Sequence, residues 1–360
     1  MLPFLIRRVL TMVLTALCLT FIVFCMTNLP PNLEKLAKAE GSVRMSDADV
    51  ASWIDKHGYG QPILRRYGEW LGLLPGWTLT TDGVTTGRCI PLGSDAAVAP
   101  ARCGILQGNW GYSTVFKTPV ASIIGQSLGA TGMLMLWVML VMVPTALLVG
   151  ILSGMREGSR LDRTLSIFSI ASTATPEYVS GVVLIALFAS TTTGLSPWLA
   201  SHGWISGKTL FMGTATSAMD KITFWNFFLP VITIALYGIG YIARMTRASM
   251  TEVMTAQYIR TARLKGVSFG NVVMKHALRN ALIAPFTVIM LQFPWLLNGV
   301  VIVETLFNYK GFGWTLVQAA GNNDIELLLA CSVVAVFVVL VTQLISDIGY
   351  VFLNPRIRIS

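Results

Sequence analysis

Charged side chains are scarce in this sequence: Asp, Glu, Lys and Arg together make up only 12% of its 360 residues. Soluble globular domains carry about 25%. Hydrophobic residues account for 54% of the chain, so polar groups are too few to cover a water-exposed surface. This composition excludes an ordinary soluble domain and predicts a protein whose solvent is the lipid bilayer.

Histidine is rare too, and the residues of catalytic and metal sites are correspondingly hard to find. His57, His202 and His276 have no cysteine, histidine or carboxylate partner at the spacing of a zinc site. No nucleophile elbow, carboxylate pair or dinucleotide fingerprint is present. Residues 203–209 resemble a phosphate-binding loop, but three residues separate the two glycines where that loop needs four. The sequence therefore predicts no enzyme, no metal site and no cofactor bound by this chain.

Long apolar runs are the dominant positive feature. A membrane-spanning helix needs about 20 predominantly apolar residues. A cleaved signal peptide is disfavoured for the first run, because the run is too long and the triplet 37–39 lies too far beyond it. The runs predict an all-α polytopic membrane protein with about six transmembrane helices. They cover residues 9–29, 130–155, 164–190, 224–243, 281–303 and 327–346.

The basic residues predict the orientation of these helices. Lys and Arg favour the cytoplasmic side in short loops near the helix ends. More than half of the 26 basic residues lie where an N-in arrangement places cytoplasm, and the short opposite loops keep only Lys208, Lys221 and Lys310. We expect both termini in the cytoplasm and a long extracytoplasmic loop after the first helix. The net charge of +9 follows from this topology and gives no reason to expect a nucleic-acid partner.

The five cysteines divide between the spans and the long loop. Cys18, Cys25 and Cys331 lie within predicted spans, where free cysteine packs as a small apolar residue. Cys89 and Cys103 lie in the long loop, and we predict a disulfide between them. Two free thiols remain an alternative, because no sequence fixes the separation of two Cα atoms.

Glu177, next to Pro176, is the one ionisable residue well inside a predicted span. Such residues usually face the interior of a helix bundle or a water-filled pathway. A merely solvated position in a wide vestibule is an equal alternative. Glu177 and Pro176 are therefore candidates for the translocation pathway.

The loop between the fourth and fifth spans, residues 248–280, is rich in helix formers and basic residues. A first helix is expected to end at Gly266, a suitable C-terminal cap, and a second to begin at about Ser268. Apolar Ile259 and Ala262 alternate with basic Arg260, so one side could dock in a groove while the other stays in water. From these residues alone, an ordinary basic loop is nearly as good an interpretation.

A family resemblance favours docking. Residues 258–266 (Tyr-Ile-Arg-Thr-Ala-Arg-Leu-Lys-Gly) and 276–280 (His-Ala-Leu-Arg-Asn) resemble the EAA loop of ABC-importer permeases of the dipeptide/oligopeptide family. The likeness is colinear over nearly the whole chain. Arg260 departs from the general motif, which has Glu, although this subfamily commonly shows Arg. Further matching segments are residues 108–113, 304–307, 311–313 and 354–358.

The resemblance implies a type I ABC-importer permease fold in the bacterial inner membrane, with this loop as a coupling helix seated in a separate ATPase subunit. ATP and Mg²⁺ would bind to two such ATPase subunits. The other implied partners are membrane lipid, a homologous second permease and a periplasmic or lipid-anchored substrate-binding protein. The implied coupling residues are Tyr258, Ile259, Arg260, Thr261, Ala262, Arg263, Lys265 and Gly266.

The expected organisation has four parts: a first helix at 1–29, an extracytoplasmic lobe at 30–125, a five-helix core at 126–350 and a cytoplasmic tail at 351–360. Family weighting favours di- or oligopeptides as substrates. Nickel chelates, glutathione and oligosaccharides remain open, because the same family also imports these. A stand-alone secondary transporter is disfavoured, since it would require repeated halves and more buried charge than one glutamate.

Overall fold

The computed structural model describes residues 2–81, 84–90 and 99–353, and helices dominate it. The chain forms two compact units. One comprises Met1–Ser127 and Thr315–Val338, and the other comprises Leu128–Trp314 and Val339–Ser360. The first helix and part of the last thus group with the predicted lobe, whereas the organisation expected from the sequence places them in separate parts. Residues 354–360 of the predicted tail, with the family match at 354–358, lie outside the described residues.

The N-terminal part of the chain consists of short helices after one long apolar helix. Ser46 begins the third helix as a capping box: its hydroxyl accepts from the Asp49 N–H, and its own N–H donates to the Asp49 carboxylate. The elements are α1 (Leu2–Thr27), α2 (Pro30–Glu40), α3 (Asp47–Lys56), α4 (Ile63–Leu71), the antiparallel strands β1 (Thr78–Thr81) and β2 (Val84–Gly87), and a 3-10 turn at Ile105–Gln107.

Aromatic side chains form the core of this unit. The Tyr67 ring lies 5.1 Å from that of Phe21 and 5.4 Å from that of Phe24, both edge-on. Trp70 is buried in the same cluster, and edge-on aromatic pairs add to the free energy of burial.

A disulfide joins Cys89 to Cys103, with their Cα atoms 5.4 Å apart. It connects the segment after β2 to the segment before the 3-10 turn, across a sequence separation of 14 residues. A loop of this size gives a stabilisation of about 3 kcal/mol in the chain-entropy model.

The rest of the chain is built of longer helices. Its elements are α5 (Val120–Gly154), α6 (Arg160–Ala174), α7 (Glu177–Phe188), α8 (Leu195–Ser201), a 3-10 turn at Thr216–Met219, α9 (Phe224–Thr255), α10 (Gln257–Leu264), α11 (Phe269–Asn271), a π-helix at Val272–Ala277, α12 (Leu278–Ala281), α13 (Ile283–Leu306), α14 (Phe312–Gly321) and α15 (Ile325–Leu353).

Among the described residues, α1, α5, α9 and α15 are each long and apolar enough to cross a membrane. Two further spans are bent pairs: α6 with α7, at 109°, and Phe269–Ala281 with Ile283–Gln292, at 49°. Counting each pair as one span gives six, as predicted. The third span, expected to be continuous, breaks at Thr175 and Pro176, where the backbone is extended (ψ 122° and 146°). Proline disfavours helical geometry in the residue before it.

Helix α9 is the centre of the second unit. Its buried residues include Ile234, Ile239 and Ile242, and they share a core with side chains of α5 and α13. The C-terminal end of α5 approaches α9 closely at two glycines. A Cβ atom at Gly150 would lie 2.4 Å from the Thr246 Cβ, and one at Gly154 would lie 2.6 Å from the Met250 Cβ. Small residues one turn apart allow such close backbone packing between membrane helices.

Candidate functional site

The predicted docking segment folds as helix α10, which is set off from its neighbours at both ends. Ala256, at φ −65° and ψ 148°, is extended and separates α10 from α9. Gly266 follows α10 with φ +77°, a left-handed conformation that glycine adopts without the cost imposed by a Cβ atom. The short helix α10 and the turn at Gly266 thus form a separate helix–turn segment between α9 and the fifth span.

One face of α10 is buried against its own chain. The Ile259 side chain is fully buried and Ala262 nearly so. Both belong to a small apolar cluster with Met250 of α9 and with Val272 and Val273 of the π-helix. The burial of these residues fixes the position of α10 relative to α9 and the π-helix. Ala262, which the resemblance places in contact with a partner, therefore packs inside this chain.

The other face of α10 is open to solvent. Of the eight residues implied by the resemblance, only Ile259 and Ala262 are buried. Leu264, which the sequence analysis did not single out, is 82% exposed beside them. The sequence feature that could have identified Leu264 is its position among basic residues on the outer face of a short amphipathic helix. The six exposed members are Tyr258, Arg260, Thr261, Arg263, Lys265 and Gly266.

The exposed face is positively charged. Within the described part of the chain, Arg260, Arg263 and Lys265 form no ion pair with a carboxylate. The Asn280 amide donates a hydrogen bond of 2.9 Å to the Tyr258 hydroxyl, which links α10 to α12. This combination of unpaired cations and an exposed leucine suits a partner with an apolar groove and an acidic rim.

Glu177 is the first residue of α7, immediately after the break at Pro176. Its side chain is half-buried, and its Oε1 atom is buried with no hydrogen-bond partner among the described residues. A carboxylate at this position is favoured by the dipole at the N-terminus of the helix. One turn further on, a Cβ atom at Gly181 would meet the Leu306 side chain at 2.4 Å, so α7 packs tightly on α13.

Two of the segments that resemble the permease family, 304–307 and 311–313, are connected by contacts of Glu304. This fully buried carboxylate accepts hydrogen bonds from the Thr131 hydroxyl and from the Trp314 N–H, the latter at 3.1 Å. The Thr131 hydroxyl in turn accepts the Phe312 N–H at 2.8 Å. A Cβ atom at Gly311 would lie 2.1 Å from the carboxylate, so a side chain there would displace Glu304 from these hydrogen bonds. This network holds the loop after α13 on α5.

The described residues contain no group of three or more His, Cys, Asp or Glu side chains that could hold a metal ion. The site residues thus comprise an exposed basic face on α10 and a carboxylate at a helix break.

A family model and several known proteins are similar to this chain, and they agree with one another. The model of the family "binding-protein-dependent transport system inner membrane component" matches residues 146–359. The oligopeptide transport system permease protein AppB of Bacillus subtilis is 28% identical, over 99% of this chain and 100% of its own. The di/tripeptide transport system permease protein DppB of Pseudomonas aeruginosa is 29% identical over 99% of both chains.

A third relative is more similar over a shorter stretch. The probable peptide ABC transporter permease protein y4tP of Sinorhizobium fredii is 34% identical over 71% of this chain and 77% of its own. The family model covers more than half of the chain, and two of the relatives align over almost its whole length. The chain therefore belongs to the family of binding-protein-dependent transport system inner membrane components.

Proposed function

We propose that this chain forms half of the membrane channel of an ATP-driven importer of di- or oligopeptides. As a member of its family it is a multi-pass inner-membrane permease subunit of an ABC importer and is not itself an enzyme. The peptide assignment is carried by one observation: the similarity extends over 99% of this chain to relatives named as oligopeptide and di/tripeptide permeases.

Helix α10 is the proposed coupling helix, and its outward face docks in a groove of an ATPase subunit. Ile259 and Ala262 anchor the helix to its own chain, while Leu264 and the basic side chains present the contact surface. ATP and Mg²⁺ belong to two such ATPase subunits, and closure of these subunits would move α10. Unpaired positive charge on the exposed face supports an acidic rim on the partner.

The channel is completed by a homologous second permease, and a substrate-binding protein delivers the peptide to the side of the long loop. The positive-inside distribution supports cytoplasmic termini and an external lobe. The Cys89–Cys103 disulfide in that lobe fits an oxidising compartment. Glu177 is the proposed pathway residue, because its buried Oε1 atom lacks a hydrogen-bond partner among the described residues.

The test of this function is uptake by the reconstituted complex. Proteoliposomes holding this chain, the second permease and the ATPases are loaded with ATP, and the binding protein is added outside together with labelled dipeptides or pentapeptides. We expect ATP-dependent uptake that unlabelled peptides compete. Competition by a nickel chelate, glutathione or an oligosaccharide, with none by peptides, would contradict the peptide assignment. Uptake without ATP or binding protein would contradict the importer itself.

A further inference from the structure

A buried carboxylate links two long helices next to the proposed coupling site. Asp162, in the first turn of α6, is only 2% exposed. It forms a bidentate ion pair with Arg247 of α9: Nε to Oδ1 is 2.6 Å, and Nη2 to Oδ2 is 2.8 Å. Bidentate pairs between a guanidinium and a carboxylate fix orientation as well as distance.

The loop between α5 and α6 closes around the same carboxylate. The Ser153 hydroxyl of α5 donates to Asp162 Oδ1 at 2.5 Å, and the Gly158 N–H donates to Oδ2 at 2.9 Å. Ser166, one turn along α6, donates to Oδ1 at 3.2 Å. Asp162 therefore joins the end of α5, the start of α6 and the C-terminal half of α9.

Arg247 lies one turn before Met250, and Met250 is a buried member of the cluster that holds α10. The chain of contacts thus runs from Ile259 of α10 to Met250, along α9 to Arg247, and across to Asp162 of α6. The first step is buried apolar packing, the second is the continuous helix α9, and the third is a charge-assisted hydrogen bond, so the route can transmit displacement.

Helices α6 and α9 also pack closely against each other further along. Where these helices meet, a Cβ atom at Gly240 would lie 2.4 Å from the Ser169 carbonyl oxygen and 2.1 Å from the Ser172 hydroxyl. Small side chains of this kind let the two backbones approach closely, and the ion pair adds a directional contact to this packing. A buried carboxylate that is held in this way can fix the register between two helices.

We propose that Asp162 and Arg247 are a positioning pair that makes α6 move together with α9 and α10. Displacement of α10 by an ATPase subunit then reaches the break between α6 and α7, where Glu177 lies. The inference rests on the proposed coupling role of α10 and adds the route by which that movement reaches the pathway. Without the pair, ATP hydrolysis continues but drives less uptake for each ATP hydrolysed.

The test uses a double variant, because removing Arg247 alone leaves the buried Asp162 carboxylate unpaired, which destabilises the fold. In Asp162→Asn with Arg247→Met, the amide oxygen can accept from the Gly158 N–H while the amide nitrogen donates to the Ser153 hydroxyl, and methionine retains the apolar stem of the arginine. The matched control is Arg244→Met, which removes the same charge one turn earlier on α9, where the side chain is exposed. The native chain, the double variant and the control are each assembled with the second permease and both ATPases in proteoliposomes. Peptide uptake and ATP hydrolysis are then measured in the same samples.

We expect the double variant to retain the ATPase subunits and to hydrolyse ATP, with uptake per ATP hydrolysed reduced at least about fivefold, the lower end of typical coupling between sites. The Arg244→Met control should match the native chain. Native uptake per ATP in the double variant would overturn the proposal. A parallel loss of hydrolysis and uptake would overturn it too, because that result indicates a stabilising role alone.

A third variant covers failure of the double variant to assemble. Arg247→Lys keeps the buried carboxylate paired but replaces the bidentate fork by a point charge. Reduced uptake per ATP in this variant supports the proposal, and a native ratio overturns it. Failure of the native chain itself to retain an ATPase subunit would contradict the proposed function, and that outcome is separate from all of these.

Discussion

Single residues on α10 have opposite roles although they are neighbours in sequence. Ile259 is fully buried, whereas Arg260 and Thr261 are exposed. The EAA resemblance treats them as one motif. In the structure, the apolar members hold the helix in place, and the polar members face away from the chain.

Truncating the buried residue should loosen α10 without touching its outer face. We expect Ile259→Ala to destabilise the docking of α10 by about 2–5 kcal/mol, since a fully buried isoleucine is removed. Hydrogen exchange of the backbone amides in 257–264 would report this as faster exchange. The exposed Thr261→Ala on the same helix serves as the control and should exchange at the native rate. Equal exchange rates in the two variants would contradict the burial of Ile259.

A second residue-scale prediction concerns the proposed pathway carboxylate. We expect Glu177→Gln to reduce uptake of lysine-containing peptides more than uptake of neutral peptides. One charge pair at 4 Å in water corresponds to about 1 kcal/mol, or roughly a fivefold difference. Uptake of both peptide classes by reconstituted complexes is the measurement, and Glu252→Gln, at an exposed position on α9, is the control. Unchanged uptake of both classes would remove Glu177 from the pathway.

Sequence reasoning did not find Asp162 and Arg247, because 85 positions separate them. Either residue alone has the character of an ordinary charge at a helix end. Nothing in the spacing or composition of the sequence shows that the Asp162 carboxylate also accepts hydrogen bonds from Ser153 and Gly158. Only the packing of α5, α6 and α9 brings these donors together.

At the scale of helices, the apolar runs predicted the spans well, since length and hydropathy are local properties. The break at Pro176 was not predicted, because membrane helices often contain proline. Pro144 and Pro230 lie within α5 and α9, and both helices continue through them. Whether proline ends a helix depends on the neighbouring packing, which the sequence does not state.

The close approach of α5 and α9 gives a prediction at this scale. We expect Gly154→Val to destabilise the protein by about 1–3 kcal/mol, because the added side chain meets Met250 and the Arg247 backbone in a filled contact. Thermal unfolding in detergent is the measurement. Gly132→Val, on the same helix but with open space around it, should unfold near the native temperature. Equal shifts for both variants would indicate a general effect of valine in α5.

At the scale of the whole molecule, the membrane class and the family followed from composition and from colinear motifs. The compact units did not follow, because their boundaries lie within α5 and α15 and not at the ends of the spans. In the structure, Thr315–Val338 groups with the N-terminal 127 residues. Contacts such as the 2.5 Å hydrogen bond from Ser113 to Asp324 join positions that are 211 residues apart.

The central claim is that the exposed face of α10 docks on an ATPase subunit. The most direct measurement is co-purification of the ATPase and second-permease subunits with the tagged chain from mild detergent, comparing Leu264→Asp with Val43→Asp. Both leucine and valine are highly exposed, at 82% and 83%, but Val43 lies in the lobe. We predict that the native chain and Val43→Asp retain both partners, whereas Leu264→Asp retains the second permease and loses the ATPase. Retention of the ATPase by Leu264→Asp, or its absence from the native chain, would contradict the account.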